Sequence, residues 1–493
     1  AGRRRLLAQL LVESAVLALA GVALGLLLAH AGVQGLLLLA PPGLPRLGNV
    51  ELSVEAFAFG AVVAVVATLA LGLVSGIAAT RMDLASAFLR STAVGQPRRR
   101  LSGKEALVAL QIALALLVAV GAGLLTKSLA HMQRVDLGFD AVGLSLVRMD
   151  LPFDDTTSSS RRHLLVRDLT DRLEAGGGLV GATPVLMAPF SGRGGWDAFH
   201  SIEGQGPTEA AANPASNLEP VMPNYFRTLG IPILRGRGFA LSDGGDAPPV
   251  VVVSQTLARR AWPGQDPLGK RLKLGSAEGP EPWRTVIGVA GEVRYRDLLA
   301  PPPTLYLPLL QTEHVIRWLL VRPSAEIPVS RRVIQAAAHE LAPGALVLSV
   351  TPVAELLAEP LARPRFLSSL VAVFAAVALL LAAVGLYGVM SSIIASRTRE
   401  MGIRMALGAG RGRIRGLVMR RAIAIAAAGI ALGITLAGVT TRWLRALLYG
   451  VHPADGATLA VAMLAILALA AAASYLPARR ATQVDPTVAL RAE

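Results

Sequence analysis

Six stretches of this chain run without a single Asp, Glu, Lys or Arg: Ser14–Pro45, Ala56–Thr80, Ala106–Thr126, Phe366–Ser396, Ala422–Thr441 and Gly456–Ala478. The shortest has 20 residues and the longest 32. At about 1.5 Å of rise per residue, each is long enough as a helix to cross about 30 Å of hydrocarbon. Only a helix or a closed barrel satisfies its own backbone in lipid, so runs of this length predict six membrane-spanning helices. Helices of soluble proteins average about 11–12 residues. Six uncharged runs, with 53% hydrophobic residues and a mean hydropathy of +0.54, exclude an ordinary soluble chain.

Between the third and fourth runs the pattern changes. From about Ala130 to Ala362 the chain is charged and mixed, long enough for one or two lobes with their own core. Its periodicity predicts strands over Asp140–Asp150, Pro249–Ser254, Arg284–Val293, Arg317–Arg322 and Ala345–Val350. Helices are expected over Ser160–Gly176, Thr256–Trp262 and Ser330–Leu341. The Gly- and Pro-rich stretch Gly192–Pro220 reads as a flexible excursion between lobes. The fold class expected is therefore an α-helical integral membrane protein of six spans carrying one large extracytoplasmic α+β domain.

Charge supplies the orientation. Arg and Lys near span ends are retained in the cytoplasm, so a positive excess should fall on alternate loops. It is +3 at Arg3–Arg5, +4 over Arg81–Glu105 and +7 over Arg397–Arg421. The intervening outer loops are near neutral, and the block from Lys127 to Arg365 holds 25 basic and 24 acidic residues. The formal +15 thus reflects topology, and a nucleic-acid footprint, which gathers basic residues on one soluble face, is not implied. Both ends of the chain are expected in the cytoplasm and the large domain outside. Cysteine is absent, so that domain would be held by packing without disulfides.

Motifs for chemistry are weak. Gly264–Lys270 fits G-x-x-x-x-G-K, but Arg271 stands where a phosphate-binding loop needs Ser or Thr for magnesium, and Pro263 and Pro267 break the context. A turn is the better reading. His339-Glu340 is half of a zinc motif, with Pro343 where the second His would stand. No G-x-S-x-G or paired-Cys spacing occurs. His30, inside a span near its outer end, suits an interfacial site better than a proton relay. No catalytic, cofactor or metal residue is expected.

An internal repeat gives stronger information. At an offset of 408 residues Ala1, Gly2, Arg3 and Arg5 fall on Ala409, Gly410, Arg411 and Arg413, and Gly21 and Gly25 fall on Gly429 and Gly433. Each copy carries G-x-x-x-G, which lets helix backbones approach closely in lipid. The sequence thus predicts that residues 1–92 are the last two spans of a first permease unit. A complete second unit follows: a linker and first span over 93–129, the outer domain over 130–362, and three more spans over 363–493. The chain reads as the C-terminal part of a duplicated protein, with helix packing through Gly21, Gly25, Gly429 and Gly433.

Asn224–Phe239, Trp262–Arg271, Val286–Val289 and Tyr306–Pro308 resemble the periplasmic core domain of MacB-type permeases. Arg399–Ala409 resembles the cytoplasmic stretch after the second span of FtsX-like permease domains, and Pro486–Arg491 their ending. The layout resembles the duplicated orphan permease subgroup. The resemblance implies a permease of the bacterial inner membrane with a periplasmic domain. In such systems a separate cytoplasmic ABC ATPase drives periplasmic motion, and the second half is a duplicated unit or another permease copy.

Within the basic loop, Arg399, Glu400, Met401, Gly402, Ile403, Arg404, Leu407 and Gly408 interleave charge with apolar residues. Contact with anionic lipid would account for the arginines; the apolar residues suit a protein groove, so this segment is the expected ATPase-coupling element. Two function classes follow: a permease moving an envelope substrate such as a peptide, lipid-linked molecule or hydrophobic drug, with a possible periplasmic or outer-membrane partner, or a regulatory membrane module that signals to envelope enzymes without transport.

Overall fold

The computed structural model describes residues 3–39, 54–55, 57–66, 68, 102–152, 157–176, 178–191, 195–324, 330–396 and 410–481. In chain order the helices include α1 (Arg3–Leu39), α2 (Phe57–Val66), α3 (Gly103–Gln133), α4 (Ser159–Ala175), α5 (Tyr225–Leu229), α6 (Gln255–Ala261), α7 (Arg331–Leu341), α8 (Ala358–Ser396), α9 (Arg411–Leu444) and α10 (Gly456–Ala481). The strands are β1 (Ser145–Asp150), β2 (Leu179–Val185), β3 (Trp196–Ala198), β4 (His200–Ile202), β5 (Ser216–Val221) and β6 (Ile233–Gly236). They continue with β7 (Val250–Ser254), β8 (Arg271–Leu274), β9 (Arg284–Ala290), β10 (Thr304–Pro308), β11 (Trp318–Pro323) and β12 (Leu346–Pro352). The chain separates into two compact units, residues 1–128 with 363–493, and residues 129–362.

The first unit is helical. Among the described residues five helices are long and apolar enough to cross a membrane, and α2 is a shorter apolar helix within the second expected span. The core of this unit is built by α3, α8, α9 and α10 around Ile112, Leu116, Leu124, Leu386, Ile425, Ala426 and Ile466. α3 is the most enclosed, with half of its hydrophobic window buried, whereas the window of α1, Ala18–Gly35, has no buried residue. The side chains of this core are small or aliphatic, which permits the close backbone approach that holds helices together in lipid.

The second unit has two lobes. In lobe 1 a four-stranded sheet of order β12-β1-β11-β2 is antiparallel throughout. α4 lays Val166, Leu169 and Leu173 on it and α7 adds Ile334 and Ala338, spacings of three and four that keep each set on one helical face. The chain then leaves for lobe 2, an eight-stranded sheet of order β3-β5-β10-β7-β9-β8-β4 with β6 on β9. Its two edges, β3 and β4, are separated only by Phe199. They are two halves of one bent strand, so the sheet curls into a barrel around Val251, Val253, Leu257, Leu272, Leu305 and Leu307. The chain returns through β11, α7 and β12 to complete lobe 1, and the antiparallel pairing of β11 between β1 and β2 ties early and late segments together.

The structure differs from the expected excursion over 192–220. That stretch holds β3, β4, a short helix Pro207–Ala211 and β5, whose six residues are all buried. Its Gly and Pro residues punctuate short strands of a closed sheet, where each strand is too brief to show a period. The Gly264–Lys270 stretch is a turn, with Gly264 and Gly269 at φ +71° and +76°, where a side chain would be strained.

Candidate functional site

Two ion pairs of the helical unit lie at the two ends of α3. At its first turn Ser102 and Glu105 form a reciprocal cap: the Ser102 N–H donates to Glu105 Oε2 at 2.8 Å and the Glu105 N–H to Ser102 Oγ at 3.4 Å. The same carboxylate, 2% exposed as a residue, accepts two hydrogen bonds from the Arg421 guanidinium of α9, both at 2.7 Å. Bidentate pairing of this kind fixes geometry as well as charge. One residue thus starts α3 and anchors it to α9.

The other end repeats the device with roles exchanged. Asp455 caps α10, accepting from the Thr458 N–H at 3.0 Å and the Thr458 hydroxyl at 2.6 Å, while Lys127 of α3 donates to its other oxygen at 2.7 Å. The hydrogen bonds from Lys127 and Thr458 hold the Asp455 carboxyl well below the usual carboxylate range. The neighbours of Lys127 reach further: the Thr126 hydroxyl lies 3.1 Å from Ser368 Oγ of α8, and Ser128 Oγ accepts from the Tyr449 N–H at 2.8 Å. Successive helical residues point about 100° apart, so three consecutive side chains reach three different neighbours. Glu105 and Lys127 stand 22 residues apart, about 33 Å along a helix, close to the thickness of the hydrocarbon layer.

Between these ties the contacts are steric. A Cβ at Gly429 would stand 2.7 Å from the Ala109 carbonyl oxygen and 2.8 Å from Ile112 Cβ; one at Gly433 would stand 2.8 Å from Leu116 Cδ2. α9 therefore presses its glycine face onto α3. A Cβ at Gly123 of α3 would meet Thr458 Cγ2 at 2.6 Å, and one at Gly385 of α8 would meet Gln111 Oε1 at 2.5 Å. α3 thus carries a close contact to each of α8, α9 and α10. The equivalent glycines of the repeat, Gly21 and Gly25, have open space around them among the described residues. The two glycine pairs are alike in sequence and occupy different surroundings.

Residues 106–340 match the family model of the MacB-like periplasmic core domain, and residues 372–486 that of the FtsX-like permease C-terminal domain. The chain is a permease of the MacB/FtsX type. It is an inner-membrane multi-pass protein with a periplasmic α+β domain. The macrolide export ATP-binding/permease protein MacB of Azoarcus sp. (strain BH72) is 27% identical over 290 residues, 55% of this chain and 42% of that protein. The Chromobacterium violaceum protein of the same name is 25% identical over 286 residues, with the same coverages. An Escherichia coli MacB is 31% identical over 128 residues, 26% of this chain and 20% of its own. The chain spans less than half the length of these relatives. Among solved structures, the periplasmic region of MacB from Actinobacillus actinomycetemcomitans is 16% identical, covering 46% of this chain and 95% of its own at a TM-score of 0.30.

Of the residues singled out in the sequence, Gly429 and Gly433 lie in the α3 contact, and Arg399, Glu400, Met401, Gly402, Ile403, Arg404, Leu407 and Gly408 lie outside the described residues of the permease. Glu105, Arg421, Lys127 and Asp455 went unnoticed in the sequence. Their signal was present: a Ser-x-x-Glu cap ahead of an apolar run, and an Asp just before another.

Proposed function

We propose that this permease transmits motion across the membrane: a separate cytoplasmic ABC ATPase moves the inner ends of the helices, and the periplasmic domain moves in response to export or extract an envelope substrate. One observation carries the reading. α3 is tied to each of its three neighbours, by ion pairs at both of its ends and by close steric contacts between them, and the chain enters the outer domain directly from it. An element fixed in this way moves as a rod rather than fraying locally. A pore would call for polar side chains along the bundle interior, whereas most buried side chains of this unit among the described residues are aliphatic, with Ser128, Ser368, Ser474 and Glu105 as buried polar residues.

The segment Arg399–Gly408 is the proposed ATPase contact, both ends of the chain are proposed to be cytoplasmic, and residues 1–92 to be the end of a first, duplicated unit with six spans in all. The MacB relatives are named for macrolide export, so an amphipathic molecule of that class is the first substrate to test. Because the chain lacks cysteine, single Cys residues at Gln96, Gly204 and Gly410 report sidedness. Gly204→Cys should label from outside, the other two only after permeabilisation. Purified with an ATP-binding subunit from the same host, the permease should stimulate ATP hydrolysis, and Arg399→Glu with Arg404→Glu should remove most of the stimulation while membrane insertion persists. An unchanged ATPase rate would leave these arginines as lipid contacts and overturn the coupling role.

A further inference from the structure

Aromatic residues make up 4% of the chain, yet seven Phe and Tyr rings of the periplasmic domain fall into two contacting groups. Phe139 contacts Phe190 and Tyr295 at 6.3 and 6.0 Å between ring centroids. Tyr225, Phe226, Phe239 and Tyr306 are linked by contacts of 5.1 to 6.2 Å. Strand alternation explains the location. Leu218, Leu305 and Leu307 point into the barrel core, so Glu219 and Tyr306, which pair across β5 and β10, point out of it, toward lobe 1. The Tyr295 hydroxyl donates to the Met187 carbonyl at 2.8 Å, just beyond β2, and Asn224 donates to the Ala182 carbonyl of β2 at 2.7 Å. The rings fill the seam between the lobes.

The crossover from lobe 1 to lobe 2 is gripped at two points by consecutive residues of that seam. The Phe190 N–H donates to the Tyr295 carbonyl at 2.7 Å, and Phe190 sits at φ +60°, a conformation that a bulky residue holds only when its surroundings impose it. Five residues on, a Cβ at Gly195 would lie 2.7 Å from Arg296 Cζ, so the guanidinium rests directly on the backbone of the crossover. Arg296 is buried and hydrogen-bonded to Asp197 of β3 at 2.7 Å and to Asn217 Oδ1. Asn217 in turn donates to Glu219 Oε1 at 3.0 Å. Glu219 is buried, and its Oε2 has no hydrogen-bond partner among the described residues.

One hydrogen bond suits a neutral carboxyl; a buried carboxylate needs several. Close around Glu219, Tyr306 from β10, Tyr225 from α5 and Tyr295 from the loop after β9 are neutral, and Glu292 lies near Tyr306. Arg296, the one cation in this set, is shared with Asp197. Burial pushes the Glu219 carboxyl up to about 7, against the Asn217 hydrogen bond and Arg296, which pull it down. An ionised Glu219 would compete with Asp197 and the crossover for the Arg296 guanidinium.

We propose that Glu219 is a proton-operated latch between the two lobes of the periplasmic domain: protonated, it leaves Arg296 seated on the crossover at Gly195 and the seam closed; ionised, it draws Arg296 away and loosens the seam. A domain outside the cytoplasmic membrane meets the pH of the medium, so the latch would set lobe mobility by external acidity. The proposal needs no ATPase and stands or falls apart from the coupling reading.

The absence of cysteine permits a direct test on the full chain in detergent or nanodiscs. Spin labels at Thr208→Cys in lobe 2 and Arg332→Cys in lobe 1, both exposed, report the distance between lobes from pH 5 to 9. The expected result is one transition with a midpoint near 7, toward a longer or broader distance at high pH, and a narrow, pH-independent distribution in Glu219→Gln. Burial holds His163, His200 and His314 below their ordinary value of 6.5, so a histidine-driven change would fall on the acid side. A distance that does not change between pH 5 and 9 in the parent overturns the latch, and that measurement does not depend on the variant folding. A transition near 7 that persists in folded Glu219→Gln overturns it equally.

Discussion

The helical unit and the periplasmic domain solve the same problem, holding distant segments of chain together, with different physics. In the helical unit every face is apolar, so hydrophobicity does not select which helix touches which; selection falls to glycine contacts and to ion pairs at the helix ends. In the periplasmic domain water drives burial, and the barrel core, the helix-covered sheet and the aromatic seam are all assembled by it. The difference shows in composition. The helical core is Ala, Ile, Leu, Val and Met390 with single polar ties, whereas the seam concentrates rings near one carboxyl. Small residues where surfaces must approach in lipid, large ones where water must be excluded, is the lesson of the contrast.

The largest effect that would break the comparison is steric. Gly429→Leu with Gly433→Leu should destabilise the α3–α9 contact by about 1–3 kcal/mol per site, whereas Ala427→Leu with Ala431→Leu, at exposed positions, should be nearly neutral. Thermal aggregation in mild detergent compares the two pairs. Equal behaviour would mean that close packing does not select the contact.

Acidity separates the regions next. The Glu219 carboxyl is raised from 4.5 to about 7, so between those values the folded domain holds a proton that the unfolded chain releases. Stability from this group is fully present below about pH 4.5, falls as pH rises toward 7 and is level above, by on the order of 3 kcal/mol. Asp455 has the opposite sign: its carboxyl is lowered, so its contribution is present above its ordinary 3.8 and lost only in stronger acid. Hydrogen exchange resolved by peptide should therefore show the seam peptides around Glu219 and Tyr295 losing protection from pH 5 to 7, after correction for the intrinsic rate, with the ends of α3 and α10 unchanged. A seam whose protection is flat over that range, or matched by Glu219→Gln, would remove the contrast.

The smallest effect sharpens the role of the paired charges. Arg421→Met leaves a buried carboxylate without its partner and should cost about 2 kcal/mol, since Arg421 is partly exposed and solvent screens it. Glu105→Met together with Arg421→Met should recover most of the loss. Detergent denaturation curves of the two variants measure it, and a double variant no better than the single would show that the pair contributes more than the avoidance of an orphan charge.

Much of this was legible along the chain. Length and the absence of charge announced the membrane helices, because the requirement they meet is one-dimensional. β7 and α4 were likewise visible, since a buried strand reads as an apolar run and an amphipathic helix repeats every three to four residues. The short strands β3, β4, β6 and β8 were not, because three or four residues carry no period. The helix-packing glycines were marked by their repeat, though not which helix they would meet. The segment Arg399–Gly408 lies outside the described residues, and its role rests on the sequence.

By itself, then, the sequence determined which segments form long apolar helices, where charge collects between them, and that an α+β domain interrupts them, because each depends on the character of neighbouring residues. Only the tertiary structure decided that Glu105 meets Arg421 and Lys127 meets Asp455, 316 and 328 residues apart. It alone placed Glu219, an ordinary polar residue of a short strand, in a buried site near three tyrosines, with one oxygen unpaired among the described residues. Local pattern states how a residue prefers to be surrounded; which residues do the surrounding is settled when distant segments exclude water or lipid from the same space.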